Sequence, residues 1–241
     1  MKTSKILLLA TLFGMIALLL ASCVGEEDPG PLQEQTKEYS ILDFERLEIG
    51  DAMDVTVSQG NMFSVVVNGD RRNIDDLEVK KIGNTLKMNY TRGRRSDNRQ
   101  YTTYVTITMP TLKGAVFSGA VNSKISGFET EGDFDITLSG ASKLQADVSA
   151  AAVKVSLSGA SELNISGAAA DLWAIVSGAS ELRGFDLETT TANVDASGAS
   201  KVRVSAAQQL NATASGASDV RYRGNPTVNG NSSGASSIGA D

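Results

Sequence analysis

Arg92, Arg94, Arg95 and Arg99 crowd one stretch of a chain whose formal net charge is −6. Guanidinium groups bind phosphate and carboxylate through a planar fork, so such a cluster favours an anionic partner such as a lipid headgroup or an acidic glycan. The plain alternative is a solvated hairpin tip. Arg183, Arg203 and Arg221 form a second set, spaced by 20 and 18 residues (183 to 203, 203 to 221). Glu181, Lys201 and Asp219 each stand two positions before one of them, which sets a basic stripe for a ligand against a self-neutralised, ion-paired face. Trp173, the single tryptophan, falls on an outward strand position with Ile175 nearby. An outward indole offers a flat apolar surface to a sugar ring, unless a loop covers it.

Other chemistry is excluded by residue type. The chain has no histidine. Ser-His-Asp and Cys-His catalysis and histidine-based zinc sites therefore fall away. No lysine follows a serine by three positions, so the Ser-x-x-Lys nucleophile is also missing. Asp133, Asp135, Asp147, Glu162, Glu181, Asp195 and Asp219 are not placed by spacing as an acid–base pair. Calcium through Asp133/Asp135 or Asp186/Glu188 lacks both the Gly-Gly-x-Gly-x-Asp turn and an EF-hand loop. No metal or cofactor is expected.

One cysteine carries a different reaction. Lys2 and Lys5 open the chain, an apolar run follows from Ile6 to Leu20, and Leu20-Ala21-Ser22-Cys23 closes it. A basic start, an apolar middle and small residues before a cut define a secretory signal. The last four residues resemble the bacterial lipobox, in which the cysteine thiol takes a diacylglycerol and its freed amine a further acyl chain. Residues 1–22 are thus expected to be removed and Cys23 to be lipidated, holding the protein on the outer membrane of a cell envelope. Residues 23–38 read as a tether, polar and broken by Pro29, Gly30 and Pro31, too poor in apolar residues to order itself. Glu26, Glu27 and Asp28 resemble the acidic surface-export signals of Bacteroidetes lipoproteins, or are simply solvated linker. Without the signal the chain has 219 residues (241 − 22) and a net charge of −8 (20 basic, 28 acidic). Nothing in that balance invites nucleic acid.

The elements that position these residues are written in a repeat. Ser-Gly-Ala-Ser begins at Ser139, Ser158, Ser177, Ser197, Ser215 and Ser233, and Ser-Gly-Ala-Val at Ser118, in steps of 21, 19, 19, 20, 18 and 18 residues. A period of this length marks stacked units that bury their apolar faces only against one another. Apolar residues alternate on both sides of each copy, as in Phe134, Ile136, Leu138 before one and Leu144, Ala146, Val148 after it. That pattern predicts two strands per coil, joined at a tight Ser-Gly-Ala-Ser corner and by a looser second connection. Glycine supplies the dihedrals of the corner, and small residues stack there without collision. The segment 39–117 is less regular but strand-rich, and is expected to supply the first coils and a cap. No long helix is expected after the signal.

Asp51-Ala-Met-Asp-Val-Thr-Val-Ser-Gln-Gly, Gly69-Asp70, Met109-Pro110, the Ser-Gly-Ala-Ser copies and Gly224-Asn225-Pro226 together resemble the putative auto-transporter adhesin head GIN domain family. The resemblance covers residues 39–241 and implies a right-handed parallel β-helix-like fold. It carries over no functional residues. The expected architecture is all-β, a single-stranded parallel β-solenoid over 39–241. The expected role is a non-catalytic, lipid-anchored display of that solenoid for adhesion or ligand contact, with a surface glycan or other anionic envelope component as partner. A polysaccharide-processing β-helix enzyme and a purely structural envelope component are the competing readings. The enzyme would need a groove gathering a basic side chain among three or more carboxylates.

Overall fold

The computed structural model describes residues 30–91 and 99–241. Of these, residues 32–91 and 101–241 belong to one compact unit.

The corner shows how the tetrapeptide works. Gly140, Gly159, Gly178, Gly198, Gly216 and Gly234 have φ between 73° and 77°, a region that favours glycine. A Cβ on Gly178 would lie 2.5 Å from the carbonyl oxygen of Gly159, one coil away. The alanine after each glycine donates its N–H to the same column: Ala160 to Gly140 O at 2.7 Å, Ala179 to Gly159 O at 2.8 Å. The closing serine is buried and donates back to the opening one, Ser161 Oγ to Ser158 O at 2.8 Å and Ser218 Oγ to Ser215 O at 2.9 Å. Each corner is thus bonded to the coil beside it, and those at Ser142, Ser161, Ser218 and Ser236 are also closed on themselves, whereas Ser200 Oγ is buried without a partner among the described residues.

Between corners run β11 (Lys143–Leu157), β12 (Glu162–Val176) and β13 (Glu181–Ala196), each one strand of 15 or 16 residues. They pair in parallel along almost their whole length. Here the expected loose second connection is absent, because the chain bends inside the ladder. Ala150 pairs with Ala169 and Ala152 with Asp171, while Ala151 and Ala170 are skipped. Alanines at the bend let coils stack there without a loop. The loose connection does occur in the last coils, between β14 (Lys201–Ser205) and β15 (Gln209–Ala214), and between β16 (Asp219–Arg223) and β17 (Thr227–Ser232). The final strand is β18 (Ser237–Ala240), parallel to β16.

These coils, about 7 in all, form two faces, one built from the arms before the corners and one from the arms after them. On the pre-corner face β2 (Arg46–Ile49) lies between β6 (Thr85–Tyr90) and β8 (Gly114–Phe117), and β8 pairs with β10 (Asp133–Leu138). On the post-corner face β3 (Met53–Gln59) lies between β7 (Thr103–Met109) and β9 (Asn122–Glu129). The first coil in sequence is therefore second in the stack, since the chain leaves it, builds the end coil β6–β7, and returns. The expected cap is also present. β4 (Ser64–Asp70) pairs antiparallel with β7, and β5 (Leu77–Ile82) antiparallel with β6.

A five-residue helix α1 (Arg71–Asp75) turns the cap. Asp70, only 1% exposed, caps it, accepting from Arg72 N at 2.9 Å, from the Arg72 guanidinium at 2.6 Å and from Gln33 N at 3.0 Å. The Arg72 side chain holds this carboxyl far below its ordinary range, against the opposing effect of burial. The tether is shorter than expected at this end. Glu34–Glu38 form β1, antiparallel to β4, although the strand is almost wholly exposed. Backbone hydrogen bonding to an open edge orders these residues without an apolar face.

The predicted inward positions are the core: Phe134, Ile136, Leu138, Val153, Val155, Leu157, Leu163, Ile165, Val202 and Val204 are all at most 3% exposed. The core tapers. Its largest side chains, Phe44, Phe117, Phe128 and Phe134 among them, lie at the capped end, while Ala192, Ala196, Ala206, Ala212 and Ala214 fill inward positions farther along.

Candidate binding site

The arginine stripe stands in the predicted register, with Asn164, Arg183, Arg203 and Arg221 on successive coils of the post-corner face. Each arginine is engaged. Arg183 pairs with Glu162 and, at 2.9 Å, with Glu181; Arg203 pairs with Glu181; Arg221 pairs with Asp219 at 3.0 Å. Burial favours the protonated form of Glu181, but hydrogen bonds and charge from Arg183 and Arg203 prevail and lower its pKa. Asp219 is lowered first by a hydrogen bond from Ser237, then by Arg221. The stripe is a self-neutralised ladder.

The opposite face differs. An open trough of about 960 Å³ runs across the outer side of the pre-corner strands. Aligning the sequence four residues before each tetrapeptide gives Asp135, Lys154, Trp173, Asn193, Asn211 and Asn229, and these stack coil on coil. Beside them runs the column Thr137, Ser156, Ile175, Asp195, Thr213 and Asn231. Trp173 is 52% exposed and Ile175 60%, so no described loop covers the indole. The three asparagines are tied into a ladder, Asn211 Nδ2 donating to Asn193 Oδ1 at 2.8 Å and Asn229 Nδ2 to Asn211 Oδ1 at 3.0 Å. At the other end of the trough Arg46 reaches Asp135 past Gly114, and Lys154 meets Asp133 at 2.5 Å. That hydrogen bond and the negative charge behind it raise the Lys154 pKa.

Among the described residues, Trp173 alone of the proposed ligand residues thus stands in an open site. Arg99 is half-buried. Arg92, Arg94, Arg95 and Cys23 lie outside the described residues. Of the suggested calcium pairs, Asp133 and Asp135 are each occupied by a cation, and among the described residues no three acidic, cysteine or histidine side chains come together. The asparagine ladder was missed as a site because its members read as ordinary outward polar residues. Their common offset from the tetrapeptide was the available signal.

A sequence model of the family described as "Putative auto-transporter adhesin, head GIN domain" matches residues 43–226. The chain belongs to that family. A putative adhesin from Bacteroides fragilis NCTC 9343 is similar in structure, with a TM-score of 0.80 at 20% identity over 87% of this chain and 97% of that one. A putative lipid binding protein from Parabacteroides distasonis ATCC 8503 has a TM-score of 0.67 at 20% identity, covering 86% of this chain and 96% of its own. A putative adhesin from Parabacteroides merdae ATCC 43184 scores 0.68 at 17% identity, covering 87% and 96%. At these identities the likeness is one of fold. A comparison with curated proteins found no match. The GIN domain fold here presents one outer face that satisfies itself and one that does not.

Proposed function

We propose that this GIN domain protein is a lipid-anchored component of the cell envelope that holds a rigid, non-catalytic β-solenoid at the surface for adhesion. The observation that carries the reading is the trough, where Trp173 and Ile175 stand exposed on a ladder of hydrogen-bonded coils. Exposed apolar side chains grouped on a rigid scaffold mark a contact surface. Membership of an adhesin family supports a binding role, and the two neighbours named adhesins have the same fold. The lipobox at Cys23 supplies the anchor, as two or three acyl chains hold a domain on a membrane.

The test is to express the native chain and its Cys23→Ser variant in cells. Native cells should take up a fatty-acid label on the protein and adhere to a polysaccharide-coated surface. The variant should lose the label and leave the membrane fraction, and its cells should lose adhesion. Release of new reducing or unsaturated ends from the coating would show turnover and overturn the non-catalytic reading. Full membrane retention of the unlabelled variant would overturn the anchor.

A further inference from the structure

We infer that the trough is a binding site for an uncharged polysaccharide chain lying along the solenoid axis. The inference rests on the adhesion reading above and adds the chemical class of its ligand. Three properties of the trough, taken together, select that class.

Trp173 is 52% exposed, with Ile175 in the next column on the same strand. This gives a flat apolar platform, and its alignment with the strand ladder holds it in place. The apolar face of a sugar ring matches such a platform.

A polar rail extends the platform in one direction. Asn193, Asn211 and Asn229 follow Trp173 on successive coils, about 4.8 Å apart. Each side-chain amide has two N–H donors and a carbonyl acceptor. Asn211 and Asn229 spend one donor each on the ladder, at 2.8 and 3.0 Å, and Gln209 donates to Asn211 Oδ1 at 2.9 Å, which fixes their orientation and leaves one donor on each amide uncommitted. A row of fixed donors at regular spacing suits a polymer with regularly spaced hydroxyls. An acyl chain gains nothing from such a rail and would strip it of water. A lipid is therefore the poorer occupant.

Charge narrows the class further. The trough's cations are already matched, Arg46 with Asp135 and Lys154 with Asp133. Asp195 stands exposed beside Asn193, next to Ile175 in its column. An anionic glycan would meet this carboxylate without a free cation from the trough to offset it, whereas a neutral one would use it as a hydroxyl acceptor.

Trp173 is the only tryptophan, so emission excited at the red edge, where the five tyrosines do not absorb, reports on the proposed site alone. The full chain in detergent micelles should be titrated with neutral polysaccharides (dextran, mannan, soluble cello- and malto-oligosaccharides) and with acidic ones (polygalacturonate, heparin), and its Cys23→Ser variant, free of detergent and of the acyl anchor, with phosphatidylethanolamine–phosphatidylglycerol vesicles. At least one neutral glycan should blue-shift the emission, with a Kd that is unchanged between low and moderate salt. By calorimetry, Trp173→Ala should weaken that binding at least about 10-fold and Asn211→Ala several-fold, with both variants melting like the native chain. The inference is overturned if only acidic glycans or only vesicles bind. It is equally overturned if no neutral glycan shifts the emission, or if the variants bind as tightly as the native chain. In those cases adhesion by cells carrying the native chain would still stand, at another surface or on another ligand.

Discussion

The two outer faces of the solenoid share their coils, corners and hydrogen-bond ladders, and differ in what their outward side chains find. On the post-corner face Glu162, Glu181 and Asp219 sit among Arg183, Arg203 and Arg221, and each of these six is paired with another of them. On the pre-corner face Trp173 and Ile175 are answered by nothing in the described chain, and the asparagines beyond them keep uncommitted N–H donors. The lesson is that an eye-catching charge column in a repeat protein is often complete, because stacking brings its counter-charges into reach at the same spacing. A single residue that breaks its column is the more informative sign. Trp173 interrupts a run of polar residues.

The comparison presupposes that both faces are held rigid by the corners, and the largest predicted effect tests that. Gly178 combines a φ of 74° with a carbonyl 2.5 Å from where a Cβ would lie. Gly178→Val must strain its backbone and push apart two coils, which should cost about 2–4 kcal/mol. A thermal melt should fall by many degrees, with binding lost in parallel. An unchanged melt would mean that the corners do not set the faces, and the contrast between them would lose its basis.

A smaller effect separates the faces by pH. The folded-state pKa of Glu181 lies below its ordinary value, so its ion pairs add stability that is present above the ordinary glutamate range and is lost as pH falls through the folded value. Glu181→Gln should therefore cost about 0.5–1 kcal/mol at neutral pH and nearly nothing in acid. Urea denaturation at neutral and acidic pH checks this, and raised salt should shrink the difference. Loss of glycan binding in Glu181→Gln would make the two faces one functional surface and undo the distinction drawn between them.

How far each face was legible in the sequence follows from the kind of signal it carries. The tetrapeptide and the alternation Phe134, Ile136, Leu138 state the coil outright, since period and burial are written in residue type. The arginine stripe was legible too, because register follows once the corners are aligned. Three things were not. The bend inside β11 and β12 rests on Ala150, Ala151 and Ala170, which have no turn signature and look like strand. The placing of β6–β7 outside β2–β3 depends on which edge pairs with which, and nothing local in Leu86 or Val105 encodes that. The order in Glu34–Glu38 comes from the open edge of β4 rather than from side chains of its own. The trough fell between these cases. Its columns were derivable, but that Trp173 is left uncovered depends on the absence of a loop at the strand ends of β12.

The smallest predicted change is the one that most sharpens the contrast. A side chain that stabilises the fold loses surface to its neighbours, and its truncation leaves a cavity. Trp173 is 52% exposed and projects from the outer side of the ladder, so its removal opens no hole in the core. Trp173→Ala should shift stability by no more than about 0.5 kcal/mol, the usual range for a surface site. It leaves every backbone hydrogen bond of β12 intact. Leu172→Ala, one residue away on the buried side at 0% exposure, should cost about 2–5 kcal/mol. The pair separates support from contact within one strand. Paired melts of the two variants measure it directly. A Trp173→Ala protein that melts as far below the native chain as Leu172→Ala does would show that the indole is a structural cover for the ladder. The pre-corner face would then be as self-sufficient as its opposite.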